Sequence, residues 1–309
     1  MNASVLSVFS VVKSLSGPSA RPIAFANPRA GIANPLPLKP SLPYSQEQSM
    51  GNYSGLDVTN KVCLVTGGTS GIGRAIALGF AQAGAKIVAA STNPDKVSAI
   101  KKELGNGHEA TTINVADAAS VAAAVDVAVK KFGRLDVIIN AAGVIKRQAS
   151  LEMSAEEFRR IVDVNLTGSF LVAQAAARVM KDQSPDVKGE RGNIIFIASL
   201  NSYISLVEVL AYAASKSGVL GLVRGLANEW AAYNIRVNAI APGVFPTDLN
   251  RPLIEGTERG KMLKWHTPMA RFGAAEELVG AAIYLASPAA SYTSGHTIVV
   301  DGGFLSKGV

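Results

Sequence analysis

Tyr212 and Lys216 stand four residues apart in Tyr212-Ala213-Ala214-Ser215-Lys216, at the start of a long stretch with apolar residues at helical spacing. On a helix that spacing puts both side chains on one face, one turn apart. An ammonium beside a phenol favours the phenolate and draws a pKa that starts at about 10 towards working pH, which makes the tyrosine usable as a general acid and base. Ser199 follows an apolar run thirteen residues before Tyr212 and supplies a hydroxyl that can hold a substrate oxygen while a proton moves. A tyrosine four before a lysine is, on its own, an ordinary helix-surface pair. Its ordered company gives it weight.

That company begins at Thr66-Gly67-Gly68-Thr69-Ser70-Gly71-Ile72-Gly73, which joins an apolar run to a helical pattern. Gly67, Gly71 and Gly73 let a backbone approach a pyrophosphate, and the free amides from Ser70 through Ile72 face it with partial positive charge. The glycine spacing departs from G-x-G-x-x-G, but the mechanism is the same. About 20 residues on, where an acid would read a ribose 2′-hydroxyl, stand Ser91, Thr92 and Asn93 instead. No carboxylate repels a 2′-phosphate there, and Lys96 or Arg74 could add charge. The cofactor reading is NADP or NAD, leaning to NADP.

These residues need a scaffold. Short apolar runs predict strands at Val62–Thr66, Lys86–Ala90, Thr111–Val115, Val137–Asn140, Asn193–Ala198, Arg236–Ala241 and Thr297–Val300. Helices are expected at Ile72–Ala83, Pro94–Leu104, Ala118–Phe132, Ala155–Met180, Tyr212–Ala232 and Ala275–Ala286. Strand–helix alternation of this kind argues an α/β fold, with a doubly wound parallel sheet and helices on both faces. Its ligand crevice lies at the carboxyl ends of the strands.

Composition bounds the rest. A chain of 309 residues, 48% hydrophobic and 17% charged, holds ample material for a core and is not a largely disordered chain. No apolar run approaches the roughly 20 residues that span a bilayer, so no membrane association is expected. Cys63 is the one cysteine and reads as an inert core thiol; the three histidines have no metal-ligand spacing, and His266 reads as solvated. The net charge of +7 invites a nucleic-acid reading, yet residues 1–46 hold four basic residues, no acidic one and seven of the fourteen prolines. Residues 1–49 are read as a disordered or targeting-like extension, or as sequence preceding a start at Met50, with 50–309 as the single Rossmann-type domain. Without them the balance is 26 basic to 22 acidic, which no longer argues for nucleic acid. A cytoplasmic location is expected, with organelle import through the extension as the alternative.

The ordered set T-G-x-x-x-G-x-G, Asn140-Ala141-Ala142-Gly143, Ser199, Tyr-x-x-x-Lys and Pro242-Gly243 resembles the short-chain dehydrogenase/reductase family over some 250 residues from Lys61. The resemblance implies a Rossmann domain with a seven-stranded sheet, a homotetramer, and hydride transfer between a nicotinamide and an alcohol/ketone pair. It implies Tyr212 as acid/base, Lys216 on the nicotinamide ribose, Ser199 on the substrate carbonyl and Asn165 at a proton-relay water. Pro242, Gly243 and Thr247 would sit at the nicotinamide, Asn140 and Gly143 beside the adenosine ribose, and Val115 near the adenine. Asn114 departs from the aspartate common before that valine.

Beyond Gly243, about 28 residues to Arg271 form a loop long enough for a lid, carrying Arg251, Arg259, Lys261, Lys264 and Arg271 against Asp248, Glu255 and Glu258. Lys146 and Arg147 place two cations beside the crevice, which suits an anionic small-molecule substrate. Residues 140–147, 198–213 and 238–273 resemble the sugar-acid dehydrogenases of the family, those acting on gluconate and 2-deoxygluconate. The alternative is a 3-oxoacyl-carrier-protein reductase, which shares Asn-Leu-Thr-Gly and the 267–273 run. A non-catalytic nucleotide-binding module is disfavoured by the intact Ser199, Tyr212 and Lys216.

Overall fold

The computed structural model describes residues 53–247 and 250–308. The reading of residues 1–49 and the lid carboxylate of Asp248 lie outside the described residues.

Seven parallel strands form one sheet in the order β3-β2-β1-β4-β5-β6-β7. They are β1 (Val62–Thr66), β2 (Lys86–Ser91), β3 (Glu109–Thr112), β4 (Val137–Asn140), β5 (Gly192–Ile197), β6 (Ile235–Pro242) and β7 (Thr297–Val300). Every residue of β1, β4, β5 and β6 is buried. That is the behaviour of strands covered on both faces, and it explains why they read as continuous apolar runs and not as alternating ones. Successive side chains still divide between the two sides. Val62 and Leu64 pack with Ile138 and Phe196 under one helical layer, while Cys63 and Val65 pack with Ile139 and Ile195 under the other.

The helices are α1 (Gly71–Gln82), α2 (Pro94–Leu104), α3 (Ala118–Phe132), α4 (Ala155–Val162), α5 (Gly168–Met180), α6 (Leu210–Trp230), α7 (Arg251–Ile254), α8 (Glu258–His266) and α9 (Val279–Ala286). No helix of the described residues is long and apolar enough to cross a membrane. Strand order reverses between β1 and β4, whose last residues Thr66 and Asn140 are partners in the ladder. A sheet of this order opens its crevice there.

Four local expectations change. The third strand lies at Glu109–Thr112, not Thr111–Val115, because it pairs with Val88–Ser91, and the chain then turns as Asn114 Oδ1 accepts from Ala116 N at 3.1 Å. The expected single helix over 155–180 is two helices joined by a π-helical turn at Asp163–Thr167. Only Val279–Ala286 of the expected last helix is α-helical; Ala275–Leu278 is a 3-10 turn. The presumed long loop after Gly243 contains α7 and α8.

Candidate active site

The glycine turn ends β1 and opens α1. Gly67 has φ +68°, and a Cβ on it would lie 2.9 Å from the backbone of Ala141 and Ala142. A Cβ on Gly73 would lie 2.3 Å from the Gly67 carbonyl oxygen. The turn therefore closes on itself and on the end of β4, and only glycine fits. Ser70 takes the N-cap position of α1 without a side-chain cap bond, so its hydroxyl and the first amides of the helix are not committed to one another. Thr247 lies over the turn: a Cβ on Gly71 would meet its Cγ2 at 3.0 Å. Pro242 and Gly243 close β6, and a Cβ on Gly243 would lie 2.6 Å from Asp301 Cα.

At the end of β2, Ser91 Oγ is buried and, among the described residues, has no hydrogen-bond partner. A buried hydroxyl without a partner is costly unless a ligand supplies one. Thr92 is exposed beside it, and Asn93 is committed to capping α2, accepting from Lys96 N at 3.0 Å. Arg74 is engaged as well, its Nε donating to Glu103 at 3.0 Å. The glycine cradle and the unpartnered Ser91 hydroxyl fit a nicotinamide dinucleotide.

Asn140 is buried and spent on the protein: its Oδ1 accepts from Thr66 Oγ1 at 2.8 Å, and its Nδ2 donates to Ser169 O at 3.3 Å. It shapes the crevice wall, with one Nδ2 hydrogen left beyond these bonds. Val115 is buried with its carbonyl against the first residue of α5, where a Cβ on Gly168 would lie 3.0 Å away.

The chemistry-bearing side chains converge at the end of β5. Ser199 is buried, and its Oγ accepts from Asn201 N at 3.1 Å. Lys216 is buried on α6; its Nζ donates to the Ile197 carbonyl at 2.6 Å and lies 5.8 Å from the Tyr212 ring centroid. Burial pushes the Lys216 ammonium down to about 8. Burial raises the Tyr212 phenol above its ordinary value, and a hydrogen bond with Ser199 opposes that rise. The expected depression of the Tyr212 pKa by Lys216 is thus not what the protein groups produce: desolvation dominates.

Asn165 sits in the π-helical turn, fully buried. Its Oδ1 accepts from Val144 N at 2.8 Å, while its Nδ2 donates to Val144 O at 2.9 Å and to Ser215 Oγ at 3.1 Å. It braces the loop after β4 against α6. Gly143 lies in the same corner; a Cβ there would be 3.3 Å from Asn165 Oδ1 and 3.7 Å from Lys216 Nζ. Lys146 and Arg147 follow on that loop, both exposed. Arg147 pairs with Glu208, a residue that spacing alone did not single out. Asn201 and Ser202 also hold the loop between β5 and α6: Asn201 Oδ1 accepts from Leu206 N at 3.0 Å, and Ser202 Oγ donates to Lys216 O at 2.8 Å. His266 stacks on Phe304 with centroids 4.4 Å apart, so it packs on a neighbour instead of standing free in solvent.

Known proteins share this arrangement. The family described as enoyl-(acyl carrier protein) reductase matches residues 67–305. The chain is 38% identical over 252 residues to a 2-dehydro-3-deoxy-D-gluconate 5-dehydrogenase of Dickeya dadantii, covering 81% of this chain and 98% of that one. It is 38% identical over 266 residues to a D-threitol dehydrogenase of Mycolicibacterium smegmatis, covering 85% of this chain and 100% of that one. A crystal structure of a gluconate 5-dehydrogenase from Burkholderia cenocepacia in complex with NADP and tartrate superposes with a TM-score of 0.77 at 36% identity, over 82% of this chain and 99% of that one. With the sheet order, the glycine turn and the Ser199, Tyr212 and Lys216 cluster in place, the chain belongs to the short-chain dehydrogenase/reductase family of NAD(P)-dependent oxidoreductases.

Proposed function

We propose that the protein oxidises a secondary alcohol of a sugar acid of the gluconate type, or reduces the matching ketone, with NADP preferred over NAD. The observation that carries this reading is the convergence of Ser199, Tyr212 and Lys216 at one strand end, with the cation of Arg147 on the adjoining loop. The sugar-acid relative and the structure holding NADP and tartrate support the substrate and cofactor classes.

When bound, the nicotinamide takes up or returns the hydride at the carbinol carbon. The remaining steps belong to the chain. Ser199 Oγ hydrogen-bonds the substrate oxygen and keeps it beside the Tyr212 phenol. In oxidation the Tyr212 phenolate accepts the hydroxyl proton as the carbon–oxygen double bond forms; in reduction the phenol donates that proton back. Lys216 has two N–H donors beyond the one given to Ile197, available to ribose hydroxyls, and its charge favours the phenolate when proton loss is required. Assembly as a homotetramer and a cytoplasmic location complete the reading, the first supported by family membership.

The test is turnover of D-gluconate, 2-deoxygluconate, D-threitol and an acetoacetyl thioester with each cofactor, followed at the absorbance band of the reduced nicotinamide. Highest kcat/KM on a sugar acid with NADP is expected. Preference for the thioester would replace this reading with a 3-oxoacyl-carrier-protein reductase.

A further inference from the structure

A cavity of about 680 Å³ opens between the loop after β4, the segment before α6, and α8. Arg147, Glu208 and Arg259 line it, with Glu258 and Lys261 on the α8 side. Two of its cations are already neutralised: Lys261 pairs with Glu258 at 2.7 Å, and Arg147 pairs with Glu208. Arg259 is different. It is half-buried, and among the described residues no carboxylate lies within ion-pair distance of it. Lost hydration and the like charge of Arg147 both disfavour its charged guanidinium, and Glu208 only partly opposes them. Among the described residues the cluster is therefore one anion short.

Glu208 carries a second signal. It is one of four described non-glycine residues with positive φ, at +67°, a conformation costing about 1 kcal/mol for an L-residue. Gln148 N donates to its carbonyl oxygen at 2.8 Å, so the loop that carries Arg147 also holds the backbone of Glu208 in that state. An outlier held in place four residues before Tyr212 points to function.

We propose that Arg259 and Arg147 clamp the carboxylate of the substrate, and that Glu208 is the resident counter-ion with which that carboxylate competes. The inference rests on the sugar-acid reading and adds Arg259 and Glu208 as its specificity-determining residues. An arriving carboxylate gives Arg259 the acceptor it lacks and shares Arg147 with Glu208. A guanidinium fork suits that sharing, since it can serve two acceptors in one plane. Glu208 repels the newcomer, so affinity for acids is set by the exchange and not by cation count.

Arg259→Gln and Glu208→Gln separate the roles. Steady-state kinetics on D-gluconate and D-threitol, and calorimetric titration of tartrate into the NADP-loaded enzyme, provide the readouts. Arg259→Gln is expected to lower the ratio of kcat/KM for gluconate over threitol about tenfold, through KM, the size expected for losing one charged hydrogen bond. Glu208→Gln is expected to lower KM for gluconate. A constant ratio in Arg259→Gln, or an unchanged gluconate KM in Glu208→Gln, overturns the clamp or the counter-ion respectively. If the wild type oxidises no sugar acid, the proposed function fails and tartrate still reads the subsite: weaker tartrate binding in Arg259→Gln supports the clamp, and equal binding, or none to the wild type, overturns it.

Discussion

Lys216 Nζ donates to the carbonyl oxygen of Ile197 at 2.6 Å, so the buried lysine of α6 is tied to the last residue of β5, two positions before Ser199. One strand end thus fixes both the hydroxyl proposed to hold the substrate oxygen and the cation beside the phenol. Tyr212 needs no tether of its own, because one helical turn connects it to Lys216.

Tyr212→Phe removes the group proposed to exchange a proton with the substrate oxygen. Turnover should fall by at least about 10²-fold, while NADP affinity stays within about threefold. Stopped-flow hydride transfer and fluorescence titration of NADPH check the two halves. Turnover within tenfold of wild type would reject the assignment.

The two directions of reaction should respond oppositely to pH. Tyr212 is pushed up by burial and Lys216 down to about 8 by burial, so near neutrality the phenol is protonated and the lysine charged. Reduction needs the phenol and is ready; oxidation needs the phenolate and must wait for proton loss. Log kcat/KM for alcohol oxidation is expected to climb with rising pH through neutrality and on into the alkaline range, whereas ketone reduction is flat at neutrality and falls only at alkaline pH. Parallel profiles in the two directions would contradict the sign.

Asn165→Ala strips both backbone partners from Val144 and one from Ser215. Leaving such groups unpaired costs about 2–3 kcal/mol in total. The loss should appear as a lower Tm and, since Gly143 shares that corner with Lys216 Nζ, as a lower kcat. Asn165→Asp keeps the acceptor for Val144 N and loses the donated bonds, so its Tm should fall between the two. An alanine variant as stable as wild type would show that the loop does not depend on this brace.

Ser91→Ala tests whether the unpartnered hydroxyl serves the cofactor. NADP should bind about three- to tenfold more weakly, with NAD little changed, because only the phosphate-bearing ribose uses the hydroxyl as an extra donor. Equal losses for both cofactors would place the hydroxyl elsewhere in recognition. Isothermal titration of each dinucleotide decides between them.

The central strands were legible because a parallel sheet covered on both faces leaves no polar alternation to misread, as in Val137–Asn140. β3 was displaced because it lies at the sheet edge with half-exposed residues, whereas the apolar Ile113 and Val115 that drew the prediction are buried after the strand has ended. The pairing of Tyr212 with Lys216 was readable, since a fixed offset on one helix needs no long-range knowledge; Ser199 joins them from the end of β5. The electrostatics of the cluster were not: desolvation depends on what packs around Tyr212, and no spacing encodes that. Glu208 escaped, and Arg259 stood out only as one of five lid cations, for a related reason. They meet from separate segments, and the positive φ of Glu208 leaves no mark on a residue type that seldom adopts it.

The π-helical turn at Asp163–Thr167 accommodates one residue more than an α-helical path would. Deleting a single residue there would heal the helix and, at 3.6 residues per turn, rotate what precedes it by about 100° relative to α5. The mended helix would be the more regular of the two, and Asn165 would swing away from Val144 and Ser215. Regularity and competence are therefore opposed at this turn. A stabilised version of the enzyme sought by smoothing its helices would lose the brace on its own reaction centre first.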